Sequence, residues 1–151
     1  MNNTLKIIIR ILLIILTLIL IIVGIFLVYY HNGIRRAERD GTIPPLAFYT
    51  IISPSMFPTL RVNDVILIRR VDNPSDIEVG DIITFISTNE NSLGITVTHR
   101  VTGISTADGI GFITTGDNNF ADDPELVRME NILGRKILRI PQGTRLPFFS
   151  N

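Results

Sequence analysis

The chain has 151 residues, enough for one modest domain beside an N-terminal segment, and no formal net charge at pH 7. It has no cysteine, which excludes a disulfide framework, a thiol nucleophile and a Cys-ligated metal; with only two histidines, no metal or cofactor is expected. Residues 1–39 carry five basic groups against one acidic, and residues 40–151 nine against thirteen, so the larger part lacks the basic face that a nucleic acid needs.

Residues 1–10 form a short tail with Lys6 and Arg10. Residues 11–30 are uncharged and almost wholly aliphatic, interrupted by Thr17 and Gly24. At a rise of about 1.5 Å per residue this run matches a bilayer core of about 30 Å, and it predicts a transmembrane helix. Tyr29 and Tyr30 close it as interfacial aromatics do. A cleavable signal peptide has an apolar core of about 7–15 residues and an A-x-A-like site. No such site follows, so a retained anchor is expected. Its orientation stays open, because Lys6, Arg10 and the N-terminus balance Arg35, Arg36 and Arg39 on the far side.

His31 reads as an interfacial side chain, and residues 31–45, with Gly33, Gly41 and Pro44-Pro45, read as a linker. Residues 46–151 then switch to short β-rich runs: 46–52, 65–69, 82–86, 95–104, 111–115 and 135–140. Asn63-Asp64, Gly80-Asp81, Asp108-Gly109 and Gly116-Asp117 punctuate them. One helical start stands out, Asp123-Pro124-Glu125, which predicts one or two turns to Asn131. Leu146-Pro147-Phe148-Phe149 reads as a tail packed on the sheet, with a shallow membrane contact as the alternative. The fold class expected is mainly β, with one N-terminal transmembrane helix.

Residues 53–60, SPSMFPTL, set Ser53 and Ser55 two apart in a Pro-punctuated turn. A serine hydroxyl becomes a nucleophile only beside a base and oxyanion donors. Lys6 precedes the anchor, and Lys136 reads as a solvated strand lysine, so a Ser-Lys dyad is a poor expectation. His99 alternates with Val97 and Val101 on one strand face, while Thr96, Thr98 and Arg100 share the other. By itself that pattern fits a hydrogen-bonded core histidine better than a base.

Taken together, residues 53–59, Asn63-Asp64-Val65, Gly80-Asp81-Ile82, His99-Arg100-Val101 and the stretch from Gly116-Asp117-Asn118-Asn119 to Asp122-Asp123 resemble type I signal peptidases in order and spacing. The resemblance covers about residues 50–135 and is closest to the archaeal and endoplasmic-reticulum type, also found in some Gram-positive bacteria, in which a histidine replaces a lysine base. It implies a signal-peptidase-like β catalytic domain over residues 46–151. It further implies Ser55 as nucleophile, His99 as general base and Asp123 as the acid that orients it. Ser53, with the Ser55 backbone N–H, would form the oxyanion hole, and Asp117 would support the site, with Asp117 the alternative to Asp123 as third member. Secretory preproteins, with small side chains at the first and third positions before the scissile bond, and the lipid bilayer become the expected partners; the secretion translocon is an optional one. The N-terminus would be cytoplasmic and the catalytic domain extracytoplasmic, on the cell membrane.

Three positions depart from the pattern. Pro54 and Asn63 stand where glycine is usual, and Pro124 follows the acid. Two other readings compete: a catalytically silent, membrane-tethered β-domain that binds partner proteins, and a self-cleaving protease of related fold.

Overall fold

The computed structural model describes residues 3–40 and 43–143. Two units divide the chain at Pro45, and each is taken by itself.

The first unit is one helix, α1, Asn3–Asp40. Within its residues 4–35 an 18-residue window has a mean hydropathy of 3.6, and the length and composition of this stretch suffice to cross a membrane. The apolar side chains from Leu5 to Tyr29 are exposed, which in water would be untenable and in lipid is expected. The helix overruns both boundaries read from the sequence. The expected tail is helical from Asn3, and the expected linker is helical up to Asp40. Gly33 alone costs a helix only about 1 kcal/mol, and the first proline does not come until Pro44. Arg39 in the last turn complements the helix dipole.

The second unit is a single antiparallel sheet of seven strands: β1 (Leu46–Thr50), β2 (Val65–Arg69), β3 (Ile82–Ile86), β4 (Thr96–Ser105), β5 (Gly111–Thr115), β6 (Val127–Arg128) and β7 (Ile132–Ile140). Their order across the sheet is β1-β2-β7-β3-β4-β5-β6, so the last strand inserts between β2 and β3. The strand expectations at 65–69, 82–86 and 111–115 match residue for residue. β7 begins three residues earlier than expected, at Ile132.

The core sits on both faces of this sheet. In β3, successive residues point to opposite sides. Ile82 packs with Ile51, Met56, Leu60, Ile66 and Ile68, whereas Ile83 and Phe85 pack with Val71, Val101, Phe112 and Val127. That is why β3 carries apolar residues toward both faces, with the buried Thr84 the one polar interruption, rather than alternating. His99 pairs directly with Ile83, and Arg100 with Ile82, so β4 offers an imidazole to one face and a guanidinium to the other.

The helix expected from Asp123 to Asn131 does not form. Residues 123–126 are irregular, Val127–Arg128 is β6, and Met129–Asn131 is a single 3-10 turn. The capping signal fails because its side chains are engaged elsewhere: Asp123 bonds His99 and Thr114, and Glu125 bonds Ser87 and Thr88. The expectation for residues 146–149 lies outside the described residues.

Candidate active site

Ser53 is extended, at φ −128° and ψ 157°, as the residue before a proline prefers. Pro54 opens a 3-10 turn, Pro54–Met56, at a position where its fixed φ and missing N–H cost nothing. The unusual Pro54 therefore fits its place. Met56 and Leu60, both buried, anchor the turn, and the Leu60 N–H donates to the Met56 carbonyl at 2.8 Å. Asn63 adopts φ 70°, a left-handed conformation that asparagine tolerates where glycine is usual.

Ser55 is also held from the far side of the sequence. The Asn118 N–H donates to the Ser55 carbonyl at 2.8 Å. Gly116 lies so close that a Cβ there would stand 2.6 Å from the same oxygen. Only glycine lets the 116–119 turn close onto Ser55. The Ser55 hydroxyl lies 3.1 Å from the Ser53 hydroxyl, and that is its hydrogen bond among the described residues. Both serines line a cavity of about 450 Å³, and His99 and Asp123 line it too.

His99 is 6% exposed, with Phe85 against it edge-on at 6.5 Å between ring centroids. Its Nδ1 lies 2.7 Å from Asp123 Oδ2. A carboxylate can only accept, so Nδ1 carries the proton and Nε2 is left as the acceptor, as a general base requires. Asp123 is fixed in turn by Thr114, whose buried hydroxyl donates to the same Oδ2 at 2.6 Å. The Asp123 N–H donates to the Thr114 carbonyl at 2.7 Å. Thr114 pairs across the sheet with Val101, so it shares a face with His99 on the neighbouring strand. Sequence reasoning missed Thr114, because a threonine inside a β run carries no mark of its partner.

Asp122 points the other way, as adjacent residues in extended chain do, and accepts from Thr102 and Thr115. Asp117 does not reach His99 by a hydrogen bond; it takes a bidentate pair from Arg100, Nε to Oδ1 at 2.8 Å and Nη2 to Oδ2 at 2.7 Å. The guanidinium also reaches the Gly80 carbonyl and the Thr59 hydroxyl. This clamp ties the serine turn, the start of β3 and the 116–119 turn together. The Arg100 hydrogen bonds hold the Asp117 carboxyl below its ordinary range, against burial, with Thr59 and the charges of Arg100 and His99 adding to the effect.

The remaining motif acids are structural. Asp64 is buried and accepts from the N–H groups of Arg61 and Gln142 and from Arg139 Nε. Burial raises its pKa, but these bonds outweigh it and leave it lowered. Asp81 accepts from Arg135 and from the Glu78 N–H. Among the described residues no group of three or more His, Cys, Asp or Glu is placed to hold a metal ion.

A serine turn, and a histidine bonded through Nδ1 to a carboxylate, line one cavity of a β-sheet domain, and these are the residue types that serine hydrolases use. No protein-family model matches the chain. It is 33% identical over 97 residues to signal peptidase I W of Bacillus subtilis, a match covering 62% of this chain and 49% of that protein. It is 32% identical over 97 residues to the signal peptidase complex catalytic subunit SEC11 of Metarhizium acridum, covering 63% and 55%. Over 100 residues it is again 32% identical to the SEC11 subunit of Chaetomium globosum, covering 63% and 55%. The chain is thus a relative of the type I signal peptidases. It spans about half the length of the curated relatives it matches.

Proposed function

We propose that the chain is a membrane-anchored serine endopeptidase that removes N-terminal signal peptides from exported preproteins. The observation that carries this reading is the 2.7 Å bond between His99 Nδ1 and Asp123 Oδ2 on the wall of the cavity that Ser55 also lines. Ser55 Oγ attacks the carbonyl carbon of the scissile bond as its proton passes to His99 Nε2. The tetrahedral oxyanion is bound by the Ser55 backbone N–H and the Ser53 hydroxyl. Collapse breaks the C–N bond, and the imidazolium returns the proton to the leaving amine. Water, deprotonated by the same Nε2, then releases the signal peptide from Ser55. Asp123 holds the tautomer and stabilises the imidazolium without itself being protonated. Asp117 acts through Arg100, by keeping the serine turn and the 116–119 turn in register.

The apolar helix is the anchor, with the N-terminus on the cytoplasmic side of the cell membrane and the catalytic domain outside. Tethering keeps the site at the level where a signal peptide presents its cleavage bond, which raises effective concentration. Membranes carrying the full chain should cleave a preprotein, and Ser55→Ala should lower the rate by about 10⁴-fold or more. Cleavage by Ser55→Ala at the parental rate would refute the proposal and favour a silent binding domain.

A further inference from the structure

Glu125 lies two residues beyond Asp123 and has no part in the mechanism above, yet both of its oxygens are engaged. Oε1 accepts from the Ser87 hydroxyl at 2.5 Å. Oε2 accepts from the Thr88 N–H at 2.6 Å and the Thr88 hydroxyl at 2.5 Å. Ser87 is buried at the root of the connection between β3 and β4. Its N–H donates to the Ile95 carbonyl, and its own carbonyl accepts from the Gly94 N–H. Its single hydroxyl proton goes to Glu125, so Ser92 Oγ, 2.7 Å away, must be the donor to Ser87. The whole connection is therefore fastened through Ser87 and Thr88 to one carboxylate.

That connection is a wall of the active-site cavity, lined by Ser87, Asn89, Ser92 and Ile95, with Glu125 itself on the lining. Among the described residues no lysine or arginine lines this cavity, and the donors to Glu125 are neutral hydroxyls and amides. Burial alone would raise the Glu125 pKa; the donors from Ser87, Thr88 and Asn89 outweigh it and hold the carboxyl below its ordinary range.

We propose that Glu125 is a positioning residue that fixes the wall facing the substrate, fastening the β3–β4 connection to the segment that carries Asp123. This rests on the peptidase reading above. Asp123 keeps its own bonds to His99 and Thr114 without Glu125. Losing the staple therefore loosens the surface that receives the peptide and leaves the proton relay in place.

The test uses the full chain in detergent and a peptide spanning a signal-peptide cleavage site. Glu125→Ala should raise KM about 10- to 100-fold, the range for losing hydrogen bonds to a charged group, with kcat within about threefold. Glu125→Gln should recover much of that loss, because its amide oxygen still serves Thr88 while its NH₂ donates to Ser87. An unmoved KM in Glu125→Ala, or a fall in kcat alone, overturns the proposal. Amide exchange gives a readout independent of cleavage: Thr88 should exchange about 10-fold faster or more in Glu125→Ala, with Ile83 and Phe85 unchanged. Unaltered Thr88 exchange also overturns it. Failure of the parent chain to cleave any such peptide counts against the peptidase reading, and the exchange rates then decide the staple by themselves.

Discussion

Thr114→Val is the most discriminating change near the histidine. It keeps the shape of a fully buried side chain and deletes one atom's chemistry, the hydroxyl that donates to Asp123 Oδ2 at 2.6 Å. A hydrogen bond to a charged group contributes about 1.5–3 kcal/mol, equivalent to about 10- to 150-fold in rate if all of it is felt in the transition state. Asp123 would keep its bond from His99 Nδ1 and its backbone tie to Thr114. The loss must therefore fall well short of removing the carboxylate. The expectation for Thr114→Val is a kcat lowered by about 10- to 100-fold with KM unmoved. Thr114→Ser, which retains the hydroxyl and gives up one methyl, should stay within about threefold in kcat and show its cost in thermal stability instead. Signal-peptide cleavage kinetics and a melting curve on the same preparations measure both. Wild-type kcat in Thr114→Val, or equal damage in the serine and valine variants, would refute the argument that this hydroxyl orients Asp123.

Asp123→Asn should lower turnover by roughly 10⁴-fold with the fold intact, because a neutral amide cannot stabilise the imidazolium, whereas Asp122→Asn, on the opposite side, should stay within about threefold; single-turnover cleavage separates them. Ser53→Ala removes one oxyanion donor and should reduce kcat by about 10²–10³-fold; a greater loss than that of Ser55→Ala would reverse the roles of the two serines. Asp117→Asn breaks the bidentate pair with Arg100 and should cost about 1.5–3 kcal/mol of stability, seen as a lower denaturation midpoint, with activity falling between the Asp122 and Asp123 variants. Asp64 has a folded pKa below that of the unfolded chain, so the unfolded chain binds the proton first. Its stabilisation is complete above about pH 4 and is lost as pH falls through the folded value; Asp64→Asn should lose about 2 kcal/mol at neutral pH and converge with the parent in acid, measured by urea unfolding across pH.

The strands were legible wherever an apolar run met a turn residue at each end. Val65–Arg69 follows Asn63-Asp64, Ile82–Ile86 follows Gly80-Asp81, and Gly111–Thr115 stops at Gly116. β7 was misjudged at its start because Gly134 interrupts the apolar pattern, whereas in the sheet it is the close approach of the Arg69 carbonyl that requires glycine there. The assignment of Val97, His99 and Val101 to one face followed from alternation alone, and Val101 and His99 are indeed buried. The Asp123 helix failed for the complementary reason. Local capping chemistry was sound, but partners far away in sequence took the same carboxylates, and nothing local encodes them. Thr114 and Glu125 were invisible on those grounds: each is defined by what lies across the sheet or across a loop. Asp122 and Asp123 were separable because their opposed directions follow from backbone geometry.

The bond from the Asn118 N–H to the Ser55 carbonyl bears on how the site is assembled. Four ties of the site join distant parts of the chain: Ser55 to Asn118, Arg100 to Thr59, His99 to Asp123, Ser87 to Glu125. Loop closure must come before such contacts can form, so they arrive late in folding. A chain still emerging from the ribosome carries the serine long before it carries the acid. The proposed cleavage activity therefore arises only with the finished sheet.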